Sequence, residues 1–436
     1  MHIKNNFNNL SAPVFRSLVL ISNLVLFRLY SSYFGAEGVA FINALTSLYS
    51  YWIVADYGLL SIVVREKAKF GNTTNFISLK RGLGGQIFKC ATTVWILSSA
   101  LIFLNSDEKN VNFQLYLMII INFIFYISLL TSIYERQVFA FGRYSSILVI
   151  QIVSHILIIG TIYLLHINNQ LSLYLTAIFV TLIPFITNVI CYYYFKNIIF
   201  NEKFNNKAYK EKKEKLINGG HLYFFMLTGF SIIGNSYDVY LFYRHTSPEN
   251  TATMIGVLKI ITPFYSLLQS FIIIKWPIWE NKLYISRNEA LPIIIEEIKK
   301  MQINCIALSA PFLLTFAIFG TFFCKFILNL DITDIGILYG ICLYRLCTAY
   351  VEPLPIVLTT EGFIKKYVWI VGVLNLILIL VKWIWLEYIN SEFLYLFLIC
   401  GILNLFFIGY LGRLSLAKMA DSITKDGLHN PRQIAS

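Results

Sequence analysis

Apolar residues run through this chain in twelve stretches of about 20–26 residues, separated by polar turns. They cover residues 13–34, 39–64, 83–104, 113–134, 145–166, 171–195, 221–243, 251–274, 303–328, 335–358, 367–389 and 393–412. A helix rises about 1.5 Å per residue, so each stretch can cross a hydrocarbon layer about 30 Å thick. The pattern predicts an all-α, multi-pass membrane protein with twelve spans. Most connections are shorter than about ten residues; 275–302 is longer, and so are two more. One is Arg65–Gly82; the other, Lys196–Asn218, holds seven Lys against three Glu and divides the spans six and six. The predicted organisation is a first six-helix bundle (1–195), a basic linker (196–218), a second six-helix bundle (219–413) and a tail (414–436). Within the linker, the run 207–216 reads either as a helix on the membrane surface or as a solvated tether.

Charge orients this arrangement. With the N-terminus in the cytoplasm, the 35 Lys and Arg fall on cytoplasmic segments or span ends, apart from seven. Lys109, Arg244, Lys325 and Lys382 lie at the opposite face, and Arg28, Lys259 and Arg345 lie inside spans. That asymmetry is the positive-inside pattern and puts both termini in the cytoplasm. A charged fraction of 13% excludes a soluble globular protein, where about a quarter of residues are charged. The net charge of +12 is dispersed over cytoplasmic loops, where it meets anionic lipid, and does not point to nucleic acid. Seven Cys lie in or beside spans without metal-ligand spacing and read as packing residues. The first apolar run is too long for a signal-peptide core and is expected to stay as span 1.

The two halves repeat one another loosely. Gly35-Ala36-Glu37 ends span 1, and Ser247-Pro248-Glu249 occupies the corresponding turn after span 7. An even number of spans per half makes the halves run the same way, related by an axis along the membrane normal.

Charges inside a membrane need a partner or a wet cavity. Arg28 (span 1), Asp56 (span 2), Asp238 (span 7), Lys259 (span 8), and Arg345 with Glu352 (span 10) are therefore the candidate functional residues. Asp238 and Lys259 match in depth on consecutive spans and can form a structural ion pair. Arg28 and Asp56 differ in depth by roughly 15 Å, too far to neutralise one another. Arg28 and Arg345 are thus expected to face an anionic cargo, since guanidinium forks suit phosphate. Arg345 and Glu352 share a helical face about 10 Å apart and would line one cavity. Asp56, Asp238 and Glu352 are the candidates for ion coupling or gating. Pro184, Pro263, Pro353 and Pro355 bend their spans, either for packing or to free carbonyls near Glu352. Spans 1, 2, 7 and 8 carry amides and rings, among them Asn23, Tyr30, Asn235, Tyr265 and Gln269. These suit either a sugar-handling cavity or interfacial belts.

Enzymatic machinery is not expected. The six His are scattered without metal-ligand spacing, and no Gly-rich loop forms a nucleotide cradle. Transport would then be driven by a proton or sodium gradient, with no cofactor. No outer loop is long enough to fold into a catalytic domain, which argues against a membrane polymerase or ligase.

Segments of this chain resemble bacterial polysaccharide exporters and O-antigen flippases of the Wzx type. The segment 27–69 carries the turn at Gly35, then Asp56-Tyr57-Gly58-Leu59 before a basic span end at Arg65. The segments 134–147, 236–242 and 275–290 are similar to the family's turn after span 4, its span-7 Asp and its Trp-Pro segment. The resemblance implies the fold of the multidrug/oligosaccharidyl-lipid/polysaccharide (MOP) exporters: two six-helix bundles, MATE-like, working by alternating access. It implies an undecaprenyl-pyrophosphate-linked oligosaccharide as cargo, moved across the bacterial inner membrane. The polysaccharide polymerase and chain-length machinery would be partners. Carried to this sequence, Arg28, Arg345 and Lys259 would meet the pyrophosphate or acidic sugars. A MATE-like, cation-coupled exporter of small molecules is the alternative.

Overall fold

The computed structural model describes residues 2–48, 87–100, 111–140, 144–200, 237–273, 286–359, 363–389 and 391–418, with Gly85 and scattered positions between 223 and 230 and between 275 and 283. Asp56 with its surrounding motif, Asn235, the loop 65–82 and the linker run 207–216 lie outside the described residues.

The described chain is almost entirely helical. In order the helices are α1 (His2–Leu48), α2 (Ile87–Ala100), α3 (Val111–Ala140), α4 (Tyr144–Ile167), α5 (Leu173–Phe200), α6 (Tyr237–His245), α7 (Pro248–Ile273), α8 (Arg287–Leu328), α9 (Ile335–Val351), α10 (Leu354–Leu358), α11 (Ile364–Ile384) and α12 (Phe393–Asn404). Seven described segments are long and apolar enough to cross a membrane. Their surfaces confirm the solvent they are built for. On α8, Ile303, Leu314, Ile318, Phe322 and Phe326 are exposed while Leu313, Phe316 and Cys324 are buried. A helix apolar on its outward face as well as its inward face suits lipid rather than water.

α1 is two spans, not one. Gly35 sits at φ 64°, ψ −160°, a region nearly restricted to glycine, and the chain doubles back there. The reversal is visible in side chains: Asn43 Nδ2 donates to the Tyr30 hydroxyl at 3.2 Å. In one straight helix those residues would stand about 20 Å apart. The matching turn after α6 is closed by Ser247, whose hydroxyl accepts from the Asn250 N–H at 3.2 Å at the start of α7.

Among the boundaries that differ from the apolar pattern, three shape the fold. α8 starts at Arg287, well before residue 303, because the amphipathic segment ahead of the span is helical too. Its Ala290, Leu291, Ile294 and Ile298 pack with Trp279, Leu358 and Phe363 in a second core at one end of the molecule. Span 10 breaks after Val351, and α10 resumes helically at Leu354. Pro353 and Pro355 cannot donate backbone hydrogen bonds, which explains the break. The last span continues through a π-helical stretch, Leu405–Leu411, and runs on to Lys418 rather than stopping at 412.

α3, α4 and α5 pack together behind α1, and α8, α9, α11 and α12 form the other half with α6 and α7. α1 carries the main contact between the halves, against α6, α7 and α8. The seam is thus made chiefly by spans 1, 2, 7 and 8, the four whose amides and rings the sequence singles out.

Candidate functional site

A cavity of about 360 Å³ lies in this seam. Asn23, Asn43, Thr46 and Ser47 line it from the two arms of α1, and Ile255, Lys259, Thr262 and Pro263 from α7. Both arms of the hairpin are needed, so the Gly35 reversal is what brings Asn23 and Asn43 to one wall. Asn43 is held by its donation to Tyr30 and to the Val39 carbonyl at 2.8 Å. Pro263 has no N–H to give, so the backbone carbonyl of Lys259, one turn earlier, lacks its helical donor.

Lys259 is the charge in this lining. Its Nζ stands 5.8 Å from the centre of the Phe27 ring, a cation–π contact. No Asp or Glu among the described residues lies within ion-pairing distance of it. The expected pairing with Asp238 does not form. Asp238 instead holds Lys382, whose Nζ is 2.7 Å from both carboxylate oxygens. Depth along the helix was matched, but direction around it was not. Asp238 and Phe242 share a face of α6 turned to α11 and α12, where Phe242 meets Phe393 and Phe397. Lys259 points the other way, to α1. Lys382 is correspondingly not an exposed charge: it is 3% exposed and lies inside the C-terminal half.

Arg345 belongs to the same interior. Its guanidinium lies over the rings of Tyr265 (5.5 Å) and Tyr344 (5.8 Å), with a buried Nε that has no hydrogen-bond partner. The Tyr265 hydroxyl donates to the Arg345 carbonyl at 2.9 Å. Glu352 caps α9 and accepts from the Gln269 amide of α7. The positive field of Arg345 reaches both Asp238 and Glu352. Two acids and two bases are therefore gathered within one half, and their charges balance.

Arg28 is placed differently again. It is exposed, and Nη1 donates to the Phe326 carbonyl at 2.5 Å. Ser31, one turn on, donates to the Leu328 carbonyl. These are the last carbonyls of α8, which ends at Asn329 in a left-handed conformation. Unsatisfied carbonyls and the negative end of the helix dipole attract a cation there. Arg28 thus closes the seam between the halves at the end carrying the Gly35 and Ser247 turns, rather than lining the cavity.

Three further residues escaped the sequence reading. His155 of α4, which looked isolated, has Nε2 3.0 Å from Asn23 Oδ1, and its partner is 132 positions away. Gln302, fully buried, donates to the Tyr350 carbonyl at 2.9 Å and accepts from Arg413, which also lies 4.8 Å over the Tyr350 ring. An amide at the edge of the apolar run of α8, just ahead of residue 303, was the one signal available for that junction.

No protein-family model matches the sequence, and no curated protein matches it either. Solved structures do match. A MATE transporter crystallised with MaD3S superposes with a TM-score of 0.70 at 14% identity, over 96% of each chain. A MOP-superfamily transporter from Pyrococcus furiosus, reported to have a binding pocket of reversed polarity, gives 0.68 at 12% identity over 95% of this chain and 96% of its own. The lipid II flippase MurJ, in an inward-closed conformation, gives 0.62 at 14% identity over 96% of this chain and 90% of its own. The chain is an all-α, multi-pass membrane protein with the fold of the MOP-superfamily transporters.

Proposed function

We propose that this protein is a flippase carrying an undecaprenyl-pyrophosphate-linked oligosaccharide from the cytoplasmic to the outer leaflet of a bacterial inner membrane. The distribution of Lys and Arg supports a cytoplasmic position for both termini. The observation that carries the reading is the seam cavity, which lies between the two halves and holds one intramembrane cation with no acidic partner among the described residues. A buried ammonium is tolerated where it meets water or an anion, and a pyrophosphate supplies the latter. The amides of Asn23 and Asn43 and the hydroxyls of Thr46 and Thr262 offer hydrogen bonds to phosphate or sugar oxygens. Arg28 and Ser31 form the contact that must part for the cavity to open on their side. Arg345 contributes its field from the C-terminal half, and Asp238 and Glu352 remain coupling candidates within its charge network.

A MATE-like exporter of small molecules shares the fold, and the MATE transporter crystallised with MaD3S superposes with a higher TM-score than the flippase. Lysine in the cavity favours an anionic cargo over a cationic drug. The test is reconstitution of the full chain with a fluorescent pyrophosphate-linked polyprenyl sugar. Wild type should expose the lipid to a membrane-impermeant reagent on the far leaflet, and Lys259→Gln should not. Equal flipping by both proteins would overturn the assignment of Lys259, and no flipping by wild type would overturn the cargo.

A further inference from the structure

His155 stands behind the cavity wall, 5% exposed, and neither the packing nor the cargo reading accounts for it. Its Nδ1 lies 2.7 Å from the Gln151 carbonyl oxygen, one turn earlier in α4. A carbonyl oxygen only accepts, so the proton is on Nδ1. A neutral ring then has a bare Nε2, itself an acceptor, facing Asn23 Oδ1 at 3.0 Å. Two lone pairs would oppose each other there. Two arrangements resolve the conflict. A second proton on Nε2 lets an imidazolium donate to Oδ1. Alternatively, the Asn23 amide turns over and its NH₂ donates to a neutral ring. The end of the amide that His155 does not engage is the end left for the cavity: NH₂ in the first case, oxygen in the second.

We propose that His155 is a proton-binding site that sets the anion affinity of the seam cavity through Asn23. Protonated, it adds a positive charge behind Lys259 and turns an N–H donor toward the cargo. Neutral, it withdraws the charge and presents an acceptor. Around the ring, α1 offers Asn23, α5 offers Thr187 through its hydrogen bond to the neighbouring Ser154 at 3.0 Å, and α7 offers Lys259. Lys259 is the one charged group among the described residues whose field reaches the ring. Ammonium and imidazolium repel, and an anion held beside them relieves the repulsion. Anion binding and proton uptake therefore favour each other reciprocally. In sign, affinity is highest when the imidazolium is formed and falls as pH rises through its titration.

This inference rests on the reading of the Lys259 cavity as an anion site, so the experiment separates the two. Calorimetry of inorganic pyrophosphate binding to the full chain in nanodiscs is run between about pH 4.5 and 8, which covers the histidine range and its acid side. Wild type is compared with His155→Gln at each pH, so that protonation of the ligand itself cancels. The affinity ratio should be near one at the alkaline end and rise to about tenfold at the acid end, as one coupled proton allows. Asn23→Ala should keep part of that rise, and it carries the test if His155→Gln does not fold. Lys259→Gln should lose affinity at every pH. An unchanged Lys259→Gln would sink the cavity reading and this inference with it. Lys259-dependent binding with a flat wild-type to His155→Gln ratio, or with an Asn23→Ala profile identical to wild type, would overturn the role of His155 alone.

Discussion

The seam cavity and the interior of the C-terminal half are both polar places inside lipid, and they treat charge in opposite ways. In the C-terminal half, Asp238, Lys382, Arg345 and Glu352 answer one another, and the closest pair is at 2.7 Å. In the seam, Lys259 faces amides, hydroxyls and a phenyl ring, with no acid among the described residues. Balanced charge inside a membrane holds helices together; unbalanced charge waits for something to arrive. The number of intramembrane charges is therefore a poor guide to a cargo site, and their pairing is a better one.

That contrast can be broken most forcefully at the balanced end. Lys382→Ala leaves Asp238 buried and unpaired, which should cost about 3–5 kcal/mol. The loss would appear as a collapse of monodisperse protein on detergent gel filtration. The double variant Lys382→Leu with Asp238→Leu should recover much of it. If the single variant were as stable as wild type, the interior would be wetter than its burial implies. At the unbalanced end, Lys259→Gln should leave the melting temperature within error of wild type. It should weaken pyrophosphate-lipid binding about 10- to 100-fold, the worth of a charged hydrogen bond or two. A large fall in melting temperature for Lys259→Gln would erase the distinction between the two regions.

The hairpin that delivers Asn23 and Asn43 to the seam gives a smaller effect. A Cβ at Gly35 meets no atom within 4 Å, so Gly35→Ala carries no clash. The backbone there is nonetheless costly for any L-residue, and the variant should lose about 1–3 kcal/mol in thermal unfolding. Smallest of all should be Arg28→Ala. Removing a cation from the end of α8 is worth about 0.3–1 kcal/mol, a two- to fivefold shift toward opening at that side. Labelling of a cysteine placed at Leu24, by a reagent applied from the turn side, would read the shift. A change in cargo affinity without a change in labelling would move Arg28 back from gate to binding site.

The apolar runs disclosed the helical spans and the polar character of spans 1, 2, 7 and 8, because length and hydropathy are local properties. Partnerships were not legible. Asp238 and Lys382 are 144 positions apart, and His155 and Asn23 are 132. Counting residues from a turn gives depth in the membrane, which is why Lys259 looked like the mate of Asp238. It does not give the direction a side chain takes around its helix, and that is decided by which neighbours pack on each face. Arg28 shows the same limit: its acceptor is a backbone carbonyl, to which residue identity gives no clue. Span 10 was the reverse case, since the prolines that break it are written in the sequence.

The π-helical stretch Leu405–Leu411 has a consequence for how α12 reads as a ruler. A residue accommodated by widening one turn rotates everything after it by about 100° relative to a regular helix. Arg413 and Leu416 lie just beyond, one at Gln302 and the other in the second core. The stretch therefore acts as a phase shifter between the lipid-spanning part of α12 and its terminal segment. Removing a single residue between 405 and 411 would leave every apolar position apolar, and would still aim the end of the helix at the wrong neighbours.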